Sequence, residues 1–483
     1  MTERIPNYFR LATDDEIIKV RNTAEKILCN FGFRYENQTI LEMAEKKGMK
    51  VDFAKQHVTF TPPFFARLEE AAIRNAGSSR TEENILRRPL SKGYGIGRNI
   101  VKHYDWRSGV SRQAVMQDNI DIMKAGQMLN EVSAVAPLFT ASDEHFSIEP
   151  IVGTAHALKI SDKPFTAIEM MMGEQLPYLE ELETIKKGEQ IRYTSAFASM
   201  TRFTLDERAA YCLENTWRRN GLTYWGTNSC PLAGMNSPVT TAGSAALAMA
   251  EMIGGWLAGW VLNEDVHLGV IPVSGTVDMR TTRILFSTPQ AVLTDALLFQ
   301  IFDRLYGINT VPECSCTYID GKIPGMQLLH DKMYKTLSMF SLTGCHVAHH
   351  FGMMESGSAI CPAQMILDFE INREMELMTR GIEINEDTLA LDTILEVGIQ
   401  GDFLTSDHTL DHYKQSLWHS TLFDCTAFHD SQEERKKEKV ALEKAQARYD
   451  EALASYKPIH ISDDKLKAID DVVARAKKDI LMI

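Results

Sequence analysis

From about residue 94 to residue 425 the chain alternates between short β-branched or aromatic runs and amphipathic runs of about 12–20 residues, and this limits the folds open to it. Consecutive parallel strands need a crossover of a dozen or more residues, which a helix supplies. Val132–Phe139, Phe165–Met170, Ile191–Phe197, Leu222–Asn228, Leu268–Ser274, Thr310–Thr317 and Cys345–Phe351 read as strands. Between them, Gln175–Lys187, Leu205–Arg219, Thr241–Leu262, Pro289–Tyr306, Gly325–Leu342 and Pro362–Arg380 read as helices. An eighth strand is expected between Ile382 and Leu404. Repetition at this count favours closure over an open sheet. The spacing therefore predicts an α/β fold, a (β/α)8 TIM barrel over residues 91–425.

The flanks differ. Residues 1–90 read as a helical extension, opened by a capping box at Thr13-Asp14-Asp15-Glu16, with Ile17, Val20, Ala24, Ile27 and Leu28 on one face. Residues 426–483 read as a helical tail. A Glu-, Lys- and Ala-rich helix runs from Gln432 to Tyr456, Pro458 breaks it, and Ser462 caps the last helix. This tail is expected to pack on the body or on a second subunit; docking of a partner protein is the alternative.

Composition narrows the functional classes. A net charge of −14 argues against binding nucleic acid, which needs a basic surface. Ala242 to Leu262 is the most apolar stretch, yet it holds Ser244 and Glu251, so a buried helix is expected and no membrane span. The first residues lack the apolar core of an export signal, and the eight cysteines contain no C-x-x-C, so a cytoplasmic location is expected. There is no G-x-x-x-x-G-K-[ST] phosphate loop and no G-x-S-x-G elbow. Gly93-Tyr94-Gly95-Ile96-Gly97 lacks the third glycine and the helix of a nucleotide fingerprint.

Barrel enzymes carry their chemistry at the C-terminal ends of the strands. After the fourth strand, Tyr224-Trp225 and the glycine-rich Gly234-Met235-Asn236-Ser237-Pro238 make either a pocket wall or core and turn. After the fifth, Asp278, Arg280 and Arg283 either hold a carboxylate or pair with each other. Cys314, Cys316, Cys345 and a neighbouring histidine could bind zinc, although a buried cysteine is commonly a small apolar residue. His349-His350 stand near a strand end, where a polar pair needs a partner.

Longer stretches carry a resemblance. They are Ser237-Pro238-Val239-Thr240-Thr241-Ala242-Gly243-Ser244 running on to Ala250-Glu251, and Asp278-Met279-Arg280-Thr281 with Ser287-Thr288-Pro289. Further on come Gly352-Met353-Met354-Glu355-Ser356 and Asp368-Phe369-Glu370-Ile371. The last block is Thr388-Leu389-Ala390-Leu391-Asp392, Glu396-Val397-Gly398, and Gly401-Asp402-Phe403-Leu404-Thr405-Ser406-Asp407-His408-Thr409-Leu410. Together these resemble the trimethylamine methyltransferase family over roughly residues 10–430. Members that demethylate trimethylamine carry pyrrolysine, and this chain has only standard residues. The resemblance therefore implies the branch acting on quaternary amines such as glycine betaine, proline betaine, carnitine or γ-butyrobetaine. It also implies a homo-oligomer and a methyl acceptor that is the Co(I) corrinoid of a separate protein. No tightly bound cofactor and no resident metal are expected. A trimethylammonium group needs aromatic faces, for which the candidates are Tyr94, Phe197, Tyr224, Trp225 and Phe351. A substrate carboxylate needs a donor, for which His349 or His350 come first and Arg280 and Arg283 second. The competing readings are a zinc-dependent thiol or alcohol methyltransferase and a non-catalytic betaine-binding scaffold.

Overall fold

The computed structural model describes residues 9–76, 100–164, 170, 172–186, 202–308, 317–344, 351–379, 382–427, 431–437 and 439–482. Thr13 and Glu16 form the predicted capping box, and helix α1 (Asp14–Phe31) follows. Gly32 ends it at φ 66°, a left-handed conformation in which a Cβ would also collide with the His57 ring. The next elements are β1 (Phe33–Tyr35), α2 (Gln38–Lys46), β2 (Lys50–Asp52), β3 (His57–Thr59) and α3 (Pro62–Ala76). Strand β1 pairs antiparallel with β3, which pairs with β2. On its other edge β1 pairs in parallel with β6 (Thr204–Leu205), so the first segment is stitched to the middle of the chain.

Between these come the hairpin β4 (Lys102–Asp105) and β5 (Val110–Gln113), then α4 (Met116–Met128), α5 (Glu149–Ile160) and α6 (Leu176–Ile185). Helix α7 (Glu207–Asn220) leads into β7 (Tyr224–Ser229), β8 (Leu232–Ala233), α8 (Thr241–Leu262) and β9 (His267–Pro272). Strands β7 and β9 pair in parallel over their whole length, from Tyr224↔His267 to Ser229↔Pro272, with α8 as the crossover. This is one β–α–β unit of the predicted alternation. Next come β10 (Gly275–Asp278), β11 (Arg283–Leu285), α9 (Pro289–Tyr306), α10 (Met326–Thr343), β12 (Met353–Met354), β13 (Ala359–Ile360) and α11 (Pro362–Thr379).

Helix α8 is the centre of the largest core. Its apolar run is long enough to cross a membrane, but 94% of that window is buried inside the protein. The absence of a side chain at Gly254 lets Phe33 pack against its backbone, and the Tyr35 hydroxyl donates to the Gly254 carbonyl (2.6 Å). From α8, the Trp256 indole N–H donates to Gly269 O on β9 (2.9 Å). A second core joins Ile122 and Met123 of α4, Ile366 of α11, and Ala445 and Tyr449 of α16 (Val440–Ala454). A third joins Ile151 of α5, Leu179 of α6, and Ile469 and Val472 of α17 (Asp463–Leu481). Both long tail helices therefore pack on the body, and Tyr456 donates to Ile160 O (3.0 Å).

Two expected strands are replaced. Val132–Phe139 runs as irregular chain, touching β structure only through a parallel bridge between Phe139 and Ile100. Pro137 within it lacks the N–H that a central strand would donate. The eighth strand is not found between Ile382 and Leu404, where α12 (Glu386–Leu389) and α13 (Leu391–Val397) form. Asn385 caps α12, accepting from Thr388 N (2.8 Å), and that local bond favours a helical start over an extended run. The strands expected at residues 165–170, 191–197, 310–317 and 345–351 fall almost wholly outside the described residues.

Candidate functional site

The parallel pair β7–β9 defines a C-terminal end, and side chains along it alternate between two faces. One face meets α8. Trp225 Nε1 donates to Gly255 O (2.9 Å), Thr227 Oγ1 to Met252 O (3.0 Å), and Ser229 Oγ to Glu251 (2.6 Å). The other face holds Tyr224, Gly226 and Asn228 beside His267, Gly269 and Ile271. There the Tyr224 ring stacks on His267 (centroids 5.6 Å) and remains 48% exposed. Its hydroxyl lies over the paired Gly226 and Gly269, where a Cβ at either would collide with it. Near the strand ends, Asn228 Nδ2 donates to Ile271 O.

Buried carboxyls lie beneath these strand ends. Glu251, on α8, accepts from Ser229 Oγ and from the Arg202 amide (both 2.6 Å), and burial pushes its carboxyl up. Asp295, on α9, accepts from the Ser274 amide (2.8 Å) and is 1% exposed. Burial, with the Asp295 and Glu251 carboxylates, pushes the Cys230 thiol up to about 12. The Ser274 hydroxyl is buried and has no hydrogen-bond partner among the described residues. The C-terminal strand ends thus form an electronegative surface, suited to a cation and unfavourable to a bare anion, whereas the accessible Tyr224 ring stands at the opposite, N-terminal end of β7, roughly 17 Å along the strand.

A short sheet forms the rim. Strand β8 follows β7 directly and pairs in parallel with β10, which follows β9 and turns back into β11. Asp320 accepts from the Phe286 and Ser287 amides (2.8 and 2.7 Å), tying the loop before α10 to this hairpin. Deeper in, Lys332 of α10 and Asp368 of α11 form a fully buried ion pair. Asp368 also accepts from the Gly352 amide (2.7 Å), which fixes the chain just before β12.

The predicted site residues separate accordingly. Tyr224 lies on the face turned away from α8 but at the N-terminal end of β7, so it is not brought to the strand-end surface. Trp225, its neighbour, lies on the opposite face, 2% exposed and packed on Gly259 of α8, so its role is packing. Phe351 is also a core residue, 4% exposed and 4.7 Å from the Phe369 ring. Arg280 is solvent-exposed and paired with Asp278 (3.2 Å), whose carboxyl it holds down at about 2. Arg283 is exposed on β11. Tyr94, Phe197, His349 and His350 lie outside the described residues, as do Cys314, Cys316 and Cys345. Among the described residues no group of three or more His, Cys, Asp or Glu is placed to hold a metal ion. Asn228 and Ser274 lie in the two segments read from the sequence as candidate site loops, whereas Cys230 and Asp295 were not singled out. Counting the alternation back from the end of β7 would have picked Asn228 out of its segment, but the two buried acids needed the packing of α8 and α9.

Comparison with known proteins agrees with this chain's motifs. The family model for trimethylamine methyltransferase matches residues 1–480. A glycine betaine methyltransferase of Desulfitobacterium hafniense (strain Y51) is 25% identical over 501 aligned residues, covering 99% of both chains. A trimethylamine methyltransferase of Desulfitobacterium hafniense (strain DSM 10664 / DCB-2) is 23% identical, covering 83% of this chain and 81% of its own. One from Methanosarcina barkeri (strain Fusaro) is 23% identical, covering 97% and 95%. The chain therefore belongs to the trimethylamine methyltransferase family.

Proposed function

We propose that this methyltransferase takes a methyl group from a quaternary amine, with glycine betaine the leading substrate, and passes it to the Co(I) corrinoid of a separate protein, leaving the tertiary amine. The end-to-end match with a glycine betaine methyltransferase is the observation that carries this reading, together with a sequence made only of standard residues. On the same reading, β7 and β9 belong to an eight-stranded barrel whose mouth is the strand-end surface described above.

The chemistry asks little of the chain in acid–base terms. A quaternary nitrogen has no lone pair and no proton, so no general acid can activate it, and it is already a cationic leaving group. The docked corrinoid supplies the nucleophile. This chain's residues bind the cation, aim one methyl outward and exclude water. The aromatic faces that meet the ammonium, worth ~0.5–2 kcal/mol each, come on this reading from Tyr94 and Phe197 rather than from Tyr224, which stands at the other end of β7. The buried Glu251 and Asp295 carboxyls keep the surroundings electronegative. His349 or His350 holds the substrate carboxylate at the far end. His350→Ala is expected to raise the KM for a betaine sharply, and an unchanged KM would remove it from that role. Methylcobalamin formation from free cob(I)alamin tests the reaction itself.

A further inference from the structure

Residues 382–417 leave the body at the end of α11 and return at Ser420 and Thr421, whose hydroxyl and amide donate to Glu370 of α11 (2.6 and 2.8 Å). Between these anchors, α12, α13 and α14 (Asp407–Ser416) bury no residue at all. The segment is nevertheless shaped by its own bonds. Ser406 caps α14, accepting from Thr409 N (3.2 Å). The His408 and His412 rings stack 4.3 Å apart, and His412 lies 3.4 Å from Asp387 of α12. Its large aliphatic side chains face solvent: Leu391 61% exposed, Leu395 70%, Ile399 104%, Leu404 79% and Leu410 61%. Leu391, Ile394 and Leu395 share one face of α13, at spacings of three and four.

An arm of this kind does not stay bare. At about 100 Å² for each large apolar side chain, its exposed residues sum to roughly 1,000 Å² of apolar surface. That is about what one partner contributes to a standard interface, ~800 Å². The arm is also acidic. Residues 382–417 carry eight Asp and Glu against one Lys, half of the chain's net charge of −14.

A surface of matching character lies on this same chain. The rim at the strand ends exposes Met279 beside Gly234 and Val239, and across the Asp320 contact it exposes Ile323 and Met326 at 58% and 84%. Exposed Arg283 and Lys322 border it. A carrier protein that docks and leaves uses a surface about as polar as the rest of the protein, whereas permanent interfaces between identical chains are more apolar.

We propose that the arm formed by residues 382–417 docks on the rim of a second copy of this chain, so that each copy's strand-end surface is bordered by its neighbour's arm. Sedimentation equilibrium and carbodiimide cross-linking of the full-length protein test this. The wild type is expected to sediment at a multiple of 54.4 kDa. Leu395→Glu with Ile399→Glu on the arm, and separately Ile323→Glu with Met326→Glu on the rim, should each reduce the mass to that of one chain. Circular dichroism should be unchanged, because none of the four side chains is buried within the protomer. A cross-link from Lys322 to an arm carboxylate should be recovered from the doubled-mass band of the wild type, a readout that does not depend on how the variants fold. A wild type at 54.4 kDa would leave the arm to a different partner and overturn the proposal. So would folded variants of unchanged mass, or Lys322–arm links confined to the single-chain band.

Discussion

Tyr224 and Trp225 are adjacent in sequence and opposite in consequence. A strand turns neighbouring side chains to opposite faces, so only one of the pair can meet a ligand on a given face. Tyr224 stands at the N-terminal end of β7, away from the proposed mouth, so Tyr224→Ala is expected to leave the KM for the amine substrate within about 2-fold of the wild type. Trp225→Ala, by contrast, empties part of the α8 core and should lower stability by about 3–5 kcal/mol, seen as a lower Tm, with no selective change in KM. Steady-state kinetics beside thermal melts separate the two. Glu251 makes a pH-dependent contribution of definite sign. Burial raises its folded-state pKa above the usual 4.5, so its stabilising proton is fully in place below that value and is lost as pH rises through the folded value. The Tm difference between wild type and Glu251→Gln should therefore shift against the wild type as pH rises from 4 to 8; a difference independent of pH would contradict this. Strand β7 was legible in the sequence, although Tyr224 and Trp225, which a period of two sets on opposite faces, were both taken as cage candidates. Which face was accessible was not, because that depends on where α8 packs, a contact between distant positions with no local signature.

At the scale of elements, helices were legible and strands much less so. The Thr13 capping box, the apolar run of α8 and the Thr288-Pro289 start of α9 are local signals, and α8 and α9 span the residues read from sequence. Strand identity depends on pairing with distant partners, so the apolar Val132–Phe139 run was misread, as was the segment that became α12 and α13. One tight junction between elements is that of β1 with α8. A Cβ at Gly254 would collide with the Phe33 ring, which is fully buried. Gly254→Ala is expected to destabilise the protein by about 1–3 kcal/mol through overpacking, despite alanine's better helix propensity. Chemical denaturation checks the sign, and a stabilised variant would show that α1 and β1 can shift to make room.

For the whole molecule, residues at the two ends are structural parts of the body. Phe33 and Tyr35 lean on α8, and Tyr449 and Val472 sit in cores shared with α4, α5 and α6. Among the described residues, the helices of the acidic arm 382–417 bury no side chain, and the ends of β7 and β9 form the reaction surface of the proposed function. The most direct test of the account is methylcobalamin formation from free cob(I)alamin with purified protein and a panel of betaines, with trimethylamine as control. Formation with a betaine, glycine betaine foremost, and none with trimethylamine is the predicted result. Turnover of trimethylamine, or no turnover of any betaine by folded protein, would contradict it.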